Sequence, residues 1–204
     1  GMALLLCLIF LTALMLLGLS ASADTILQTQ LATNLRNTER AEQAAQAALT
    51  WGENWLLTLD LPVPEDCADA CSPGIFPTGG SLPTHPEYAA LSWWQENGFR
   101  TGSDPQNNNI QIAPGSFTDG QSLWVIELAH QVAATADGTT GPRAWYRILS
   151  RGTGSPETVV SVMESMVIRT WPTDDQAGSA GTDVGNWCTV STGACSRVSW
   201  RELR

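Results

Sequence analysis

Residues 2–19 read MALLLCLIFLTALMLLGL, and residues 20–57 continue SASADTILQTQLATNLRNTERAEQAAQAALTWGENWLL. The first charge in this stretch is Asp24. Met2 to Leu19, followed by the small residues Ser20 to Ala23, matches the length of a helix that crosses a bilayer, about 20 residues. Between Asp24 and Gly52 there is no Pro or Gly, and Ala, Leu, Gln, Glu and Arg dominate. All of these are good helix formers. Apolar residues at Leu27, Leu31, Leu35, Ala41, Ala45, Ala48 and Leu49, then Trp51 and Trp55, are mostly three or four apart, as one helical face requires. Arg36 and Glu39 lie three apart on another face, where opposite charges can pair. One helix is therefore expected from near Gly1 to about Leu57, roughly 80 Å long at its usual rise. Residues 1–23 would form its apolar half and residues 24–57 its amphipathic half, with residues 58–204 as a globular head.

The chain has 204 residues, 20 of them acidic and 10 basic, every basic one an Arg. A net charge of −10 argues against nucleic acid, whose binding needs clustered positive charge. It also offers no attraction to anionic lipid heads. Of five cysteines, Cys7 lies in the apolar run and reads as a free, buried small hydrophobe. Cys67 and Cys71, and Cys188 and Cys195, form two close pairs. An even number in the polar part suggests disulfides and an oxidising compartment. Three connectivities are open, and the short separations favour the two local bridges. A four-cysteine zinc site is the alternative, but the longer spacing is unusual for zinc.

Three readings of the N-terminus compete. Ala21-Ser22-Ala23 resembles a signal-peptide cleavage site, yet no basic residue precedes the apolar core. A plain single-span anchor is the second reading. It leaves unexplained why helical signals run on unbroken past the apolar segment. The third is a membrane stem continuous with the helix of a head.

The third reading is specific in its motifs. Leu17-Gly18, Asn34-Leu35-Arg36 and Gln43-Ala44-Ala45-Gln46-Ala47-Ala48-Leu49, in this order behind an apolar start, resemble the N-terminal region of PilX-type minor pilins of the type IV pilus. The resemblance covers about the first 55 residues. It implies an α+β fold, with a long N-terminal helix packed on an antiparallel sheet head whose loops are closed by disulfides. It implies a non-enzymatic subunit held in the inner membrane by one span with its head in the periplasm. From there it would be extracted into a cell-surface pilus that serves twitching motility and cell adhesion. The implied partners are other minor pilins, the major pilin and a large tip adhesin of the PilY family. Gly1 or Met2 would be the processed, N-methylated start. Most type IV pilins carry Glu at the fifth mature position. Here that position is Leu5 counting from Gly1 or Leu6 counting from Met2, and neither ionises. A subunit without that carboxylate needs no predecessor's amine, which suits a tip or priming position, although simple drift gives the same residues. A tip pseudopilin of type II secretion and a secreted disulfide-stabilised binding domain are the alternatives.

In the head, prolines break Asp60 to Gly120 repeatedly. A short helix is expected over Glu87 to Asn97, stopped by Gly98, with Trp93 and Trp94 packing on the head or forming an aromatic patch. Strands are expected at Ser122 to Val132, Arg143 to Ser150 and Thr158 to Thr170, with a turn region at Ala136 to Gly141. These three strands suggest an antiparallel meander that buries one face on the helix. Pro172 to Arg204 is rich in Gly, Ser and Thr and is expected as a surface loop, by the pilin resemblance. No motif for catalysis appears, no cofactor is implied, and His85 and His130 read as structural. Asp174-Asp175 and the loop Asp104 to Asn109 are oxygen-rich but lack EF-hand spacing, so solvated loops are expected rather than calcium sites.

Overall fold

The computed structural model describes residues 1–58, 74–79, 82–105, 109–110, 122–134, 141–155, 158–171 and 195–203, without the side chains of 18–24 and 109–110. Helix α1 spans Met2–Thr58, 57 residues without interruption. Its threonines do not break it, because their hydroxyls donate back to the preceding turn: Thr12 to Ile9 O at 2.8 Å, Thr29 to Thr25 O at 2.8 Å and Thr33 to Thr29 O at 2.8 Å. Each hydroxyl thereby finds a partner without leaving the helix.

After α1 come β1 (Ile75–Phe76), a single 3-10 turn at Pro86–Tyr88, α2 (Leu91–Asn97), β2 (Phe99–Arg100), β3 (Ser103–Asp104) and β4 (Asn109–Ile110). Four long strands follow: β5 (Ser122–Val132), β6 (Arg143–Thr153), β7 (Val160–Thr170) and β8 (Cys195–Leu203). The main sheet runs β1-β5-β6-β7-β8, with β2 also on β5, while β3 and β4 form a separate pair. The long strands are antiparallel neighbours, but β1 pairs with β5 in parallel, Ile75 opposite Ile126. The fold is thus α+β with a mixed sheet. The expected all-antiparallel sheet is corrected by two residues of the proline-rich region that attach to the open side of β5.

Alternation on the strands decides which residues meet the helix. Trp124, Ile126 and Leu128 on β5, Ala144, Tyr146 and Ile148 on β6, and Met163 and Val167 on β7 form one core with Ala45, Ala48, Leu49 and Leu56 of α1. A fully buried Leu such as Leu49 or Leu56 stabilises the fold by about 1.5–3 kcal/mol. Small residues set the separation. A side chain at Gly152 would begin 2.1 Å from Ala41 O and 2.3 Å from Ala45 N, so the helix backbone lies directly on β6. The opposite face holds a second core in which α2 lays Trp94 on Leu123, Val125, Leu149 and Val162, with Trp93 half-buried beside it. Trp93 and Trp94 meet edge to face, centroids 5.3 Å apart. They pack on the sheet and form no open aromatic patch.

Several expectations are corrected. Leu27, Leu31 and Leu35 are exposed, because contact with the head begins at Asn37, just past them. The helix expected from Glu87 begins only at Leu91, since Pro86 opens a separate 3-10 turn. Gly98 does end α2, but with φ −92°. It is required for space: a Cβ there would lie 2.5 Å from Trp94 O. The second strand runs three residues past Ser150, held by pairing Gly152 with Ser161 and Thr153 with Val160. Cys195–Leu203 is a strand where a loop was expected, because Val198, Trp200 and Leu203 follow the Gly/Ser/Thr-rich stretch.

Candidate functional site

Two features of the chain stand apart from ordinary packing: the uncovered part of α1, and the polar junction where its other end enters the head. In the uncovered part, every described residue before Asn37 is exposed. Leu5 and Leu6 are 59% and 54% exposed, and Phe10 is 68% exposed. Apolar residues there surround the helix from Met2 to Leu17 and then narrow to Ile26, Leu27, Leu31 and Leu35. Gly1 has open space around it, and Cys7 is a free, exposed thiol, not the buried one expected. No described part of the head reaches it. Among the described residues, no helix is long and apolar enough to cross a membrane.

At the junction, Glu53 of α1 is buried at 7% exposure. It accepts from Ser165 Oγ at 2.5 Å and from Arg197 Nε at 2.8 Å, and Arg197 Nη2 closes on its other oxygen. A bidentate guanidinium on a carboxylate is among the stronger charged contacts. This bond pushes the Arg197 pKa further up, against the opposing effect of burial. The contact ties the edge strand β8 to the helix. α1 carries no basic residue in its last turn, and the sheet supplies one. Arg169, 1% exposed, donates from Nη1 to Leu56 O at 2.8 Å and lies over the Trp171 ring at 5.5 Å. A cation there meets the negative end of the helix dipole and one of its unpaired carbonyls.

The opposite face of the sheet carries an alternating line of charge. Arg147 reaches Glu164 at 2.7 Å and Glu127 at 3.8 Å, and Arg201 reaches Glu164 at 3.2 Å. Burial raises the Glu127 pKa, with Arg147 pulling it down less strongly and Glu164 pushing it up. Among the described strands β8 forms the outer edge of the sheet, and Val198 and Trp200 on it are exposed. A register shift opposite Met166 and Val167, together with Arg197 and Arg201, blunts this edge against further pairing.

Residues singled out in the sequence fall in different places. Cys195 opens β8 and is disulfide-bonded. Cys67, Cys71 and Cys188 lie outside the described residues, as do Asp174-Asp175 and most of Ala136 to Gly141. His130 stacks on Trp145 at 5.4 Å, and His85 Nδ1 lies 3.0 Å from Glu87. The two histidines thus serve separate local contacts. Among the described residues, no three His, Cys, Asp or Glu converge as metal ligands. Asp104 instead accepts from Trp55 Nε1 at 3.0 Å.

Glu53 and Arg169 went unremarked in the sequence, and Ser165 was placed only on a face of its strand. The available signal was phase: Ser165 and Arg169 occupy the strand positions of Met163 and Val167, and Glu53 sits one turn after Leu49. A charged residue in the buried phase is the mark of an internal partner. No protein-family model, curated protein or solved structure matches the chain.

Proposed function

We propose that this chain is a minor pilin of the PilX type, a non-enzymatic subunit that helps initiate type IV pilus assembly at or near the pilus tip. The observation that carries the reading is the division of α1. One unbroken helix is buried in the head only from Asn37 onward, while the part before it, apolar on every side from Met2 to Leu17, stands clear. That division supports a stem that waits in the inner membrane and later packs in a filament core. It also weighs against cleavage at Ala21-Ser22-Ala23, which lie inside the helix and not in an extended segment. The pilin-like fold, with loops closed by disulfides at Cys67, Cys71, Cys188 and Cys195, belongs to the same proposal. Other minor pilins, the major pilin and a large tip adhesin are the proposed partners. Leu5 and Leu6, both without charge, suit a subunit that starts a filament and has no predecessor's amine to meet. Burying an unpaired carboxylate there in lipid is costly.

The test is N-terminal mass spectrometry of the protein from the inner membrane and the surface filaments of the cell that makes it. A chain starting at Gly1 or Met2, N-methylated and present in both fractions, is the expected result. A chain starting at Asp24 overturns the proposal in favour of a secreted binding domain. Deleting the protein is expected to remove surface filaments while the major pilin remains in the membrane.

A further inference from the structure

Helix α1 is held to the head in two unlike ways. Between Asn37 and Ala48 its buried apolar side chains are Ala41, Ala44, Ala45 and Ala48, one methyl group each. From Leu49 onward they are Leu49, Trp55 and Leu56, which remove far more apolar surface from water. The polar contacts divide at nearly the same place. Among the described residues, the side-chain hydrogen bonds and ion pairs that join α1 to the head fall within residues 51–56. Trp51 donates to Ser103 O and Trp55 to Asp104, Ser165 and Arg197 donate to Glu53, and Arg169 donates to Leu56 O.

The seam under residues 37–48 is made of small residues. A Cβ at Gly152 would begin 2.1 Å from Ala41 O, and one at Gly154, just past β6, would begin 2.4 Å from Asn37 O. Ser150 lies between Ile148 and Gly152 on the helix-facing side of β6, and Ser161 of β7 is paired with Gly152. Both serines are buried, and among the described residues neither hydroxyl has a hydrogen-bond partner. Such hydroxyls oppose the closed contact, and an opening that admits water relieves them. The outward side of the same stretch is exposed at Glu39, Arg40, Gln43 and Thr50. From Leu49 back to Asn37 the helix runs about 18 Å, so a tilt of about 10° parts the far end of the seam by about 3 Å, enough for water to enter. A bend of that size lies within the gentle curvature of long helices.

We propose that α1 is hinged on the head: residues 37–48 tilt away from β6 and β7 while residues 51–56 stay anchored, so the stem changes its angle without releasing the head. The inference rests on the packing and not on the filament reading. On that reading, the joint lets one head serve both a stem standing in a bilayer and a stem packed among others.

The test is hydrogen exchange of the backbone amides of the full wild-type chain in neutral detergent, followed across low urea concentrations. A stretch of helix without tertiary support unwinds readily, so the amides of residues 41–48 report the tilt. They should exchange through an opening at least tenfold more frequent, and less dependent on urea, than the one that exposes the amides of residues 53–56. Exchange of both stretches through one opening with one urea dependence overturns the proposal on the wild-type chain alone. Ser150→Ala combined with Ser161→Ala leaves the helix sequence untouched and removes both hydroxyls. It should slow exchange at residues 41–48 by about tenfold or more. Unchanged or faster exchange there overturns the proposal as well, because the seam is then not what loosens the helix.

Discussion

Gly152→Ala places one methyl group where α1 and β6 meet. That carbon would start 2.1 Å from Ala41 O, 2.3 Å from Ala45 N and 2.9 Å from Ala44 C. All three atoms are backbone, so no side chain can swing aside. Ordinary contact begins at 3.4 Å, so the helix must retreat from the strand by about 1.3 Å. A gap of that order forfeits a quarter to a half or more of each dispersion contact it opens, and Ala41, Ala44, Ala45, Ala48 and Leu49 all face this seam. Overpacking by a methyl group costs about 1–3 kcal/mol in a yielding core. A rigid backbone on both sides puts this case at about 3 kcal/mol or more. For a chain of this size that lowers Tm by roughly 6–12 °C. The assay is thermal unfolding of the full chain in neutral detergent, followed by near-ultraviolet circular dichroism. Ala41→Gly in the same chain should not rescue it, because the colliding atoms at 41 are not the side chain. A Gly152→Ala chain that melts within about 1 °C of wild type, roughly 0.5 kcal/mol, refutes the seating of the helix on β6.

Arg197→Ala strands the buried Glu53 carboxylate and should cost about 2–3 kcal/mol in urea unfolding. Adding Glu53→Gln should recover part of that loss; an equal or larger loss in the double variant shows that the two residues do not act as a pair. Burial holds the Glu127 carboxyl above its ordinary range, so the folded chain keeps that proton to higher pH than the unfolded chain. Its contribution to stability is complete below the unfolded value and is lost as pH rises through the folded one. The stability of Glu127→Gln relative to wild type should therefore grow as pH rises from below the ordinary carboxylate range through the raised one, and a difference in urea midpoints that shrinks refutes the assignment. Leu31→Asp changes a 65% exposed site, so the melting of the head should stay within about 0.5 kcal/mol of wild type. On the filament proposal, the same change should abolish incorporation into pili. A subunit that still assembles would place Leu31 outside the packed stem.

The helix and three of the four long strands were legible because each has a period: three to four for α1 and two for the strands. The alternation of Val160, Val162, Glu164, Met166 and Ile168 against Ser161, Met163, Ser165 and Val167 gives the two faces of β7 as they are found. Cys195–Leu203 was not legible. It interleaves Ser, Arg and Glu with single apolar residues, as an edge strand with exposed side chains can, and such a pattern differs little from a loop. Leu27, Leu31 and Leu35 were read with the head-facing stripe because sequence spacing carries no mark of where the head begins. Steps of exactly four residues also turn slowly around a helix with 3.6 residues per turn. Over longer spans the phase nevertheless returns: Leu27, Leu31 and Leu35 lie five turns before Ala45, Leu49 and Glu53, which are buried, so they are exposed because the head ends before them and not because they leave the line. Glu53 and Arg169 show the converse: their phase was readable, but only the fold brings Glu53 to Arg197 and Arg169 to the carbonyl of Leu56.

The two parts of the free stem pose different demands on whatever covers them. Among the described side chains, sixteen large apolar ones are exposed between Met2 and Leu35. Even at ~1 kcal/mol each, their transfer from water outweighs the 5–15 kcal/mol that holds a typical domain folded. The unfolded chain exposes them too, so the head loses no stability by it, but the same figure is the drive that takes the stem into lipid or onto a partner. From Met2 to Leu17 the apolar residues occupy all sides, so that part has no preferred face and lipid chains satisfy it as well as protein does. From Ile26 to Leu35 polar residues share the surface, and the apolar side chains form a directional stripe. A stripe is best covered by another stripe, which a bilayer interior does not provide. On the filament proposal, the first segment permits storage in the membrane without commitment to a partner, and the second selects the neighbour once the subunit is extracted. Because lipid and packed stems are similarly apolar, moving the first segment between them changes its free energy little. The choice of partner then rests on Leu27, Leu31 and Leu35 and on the head.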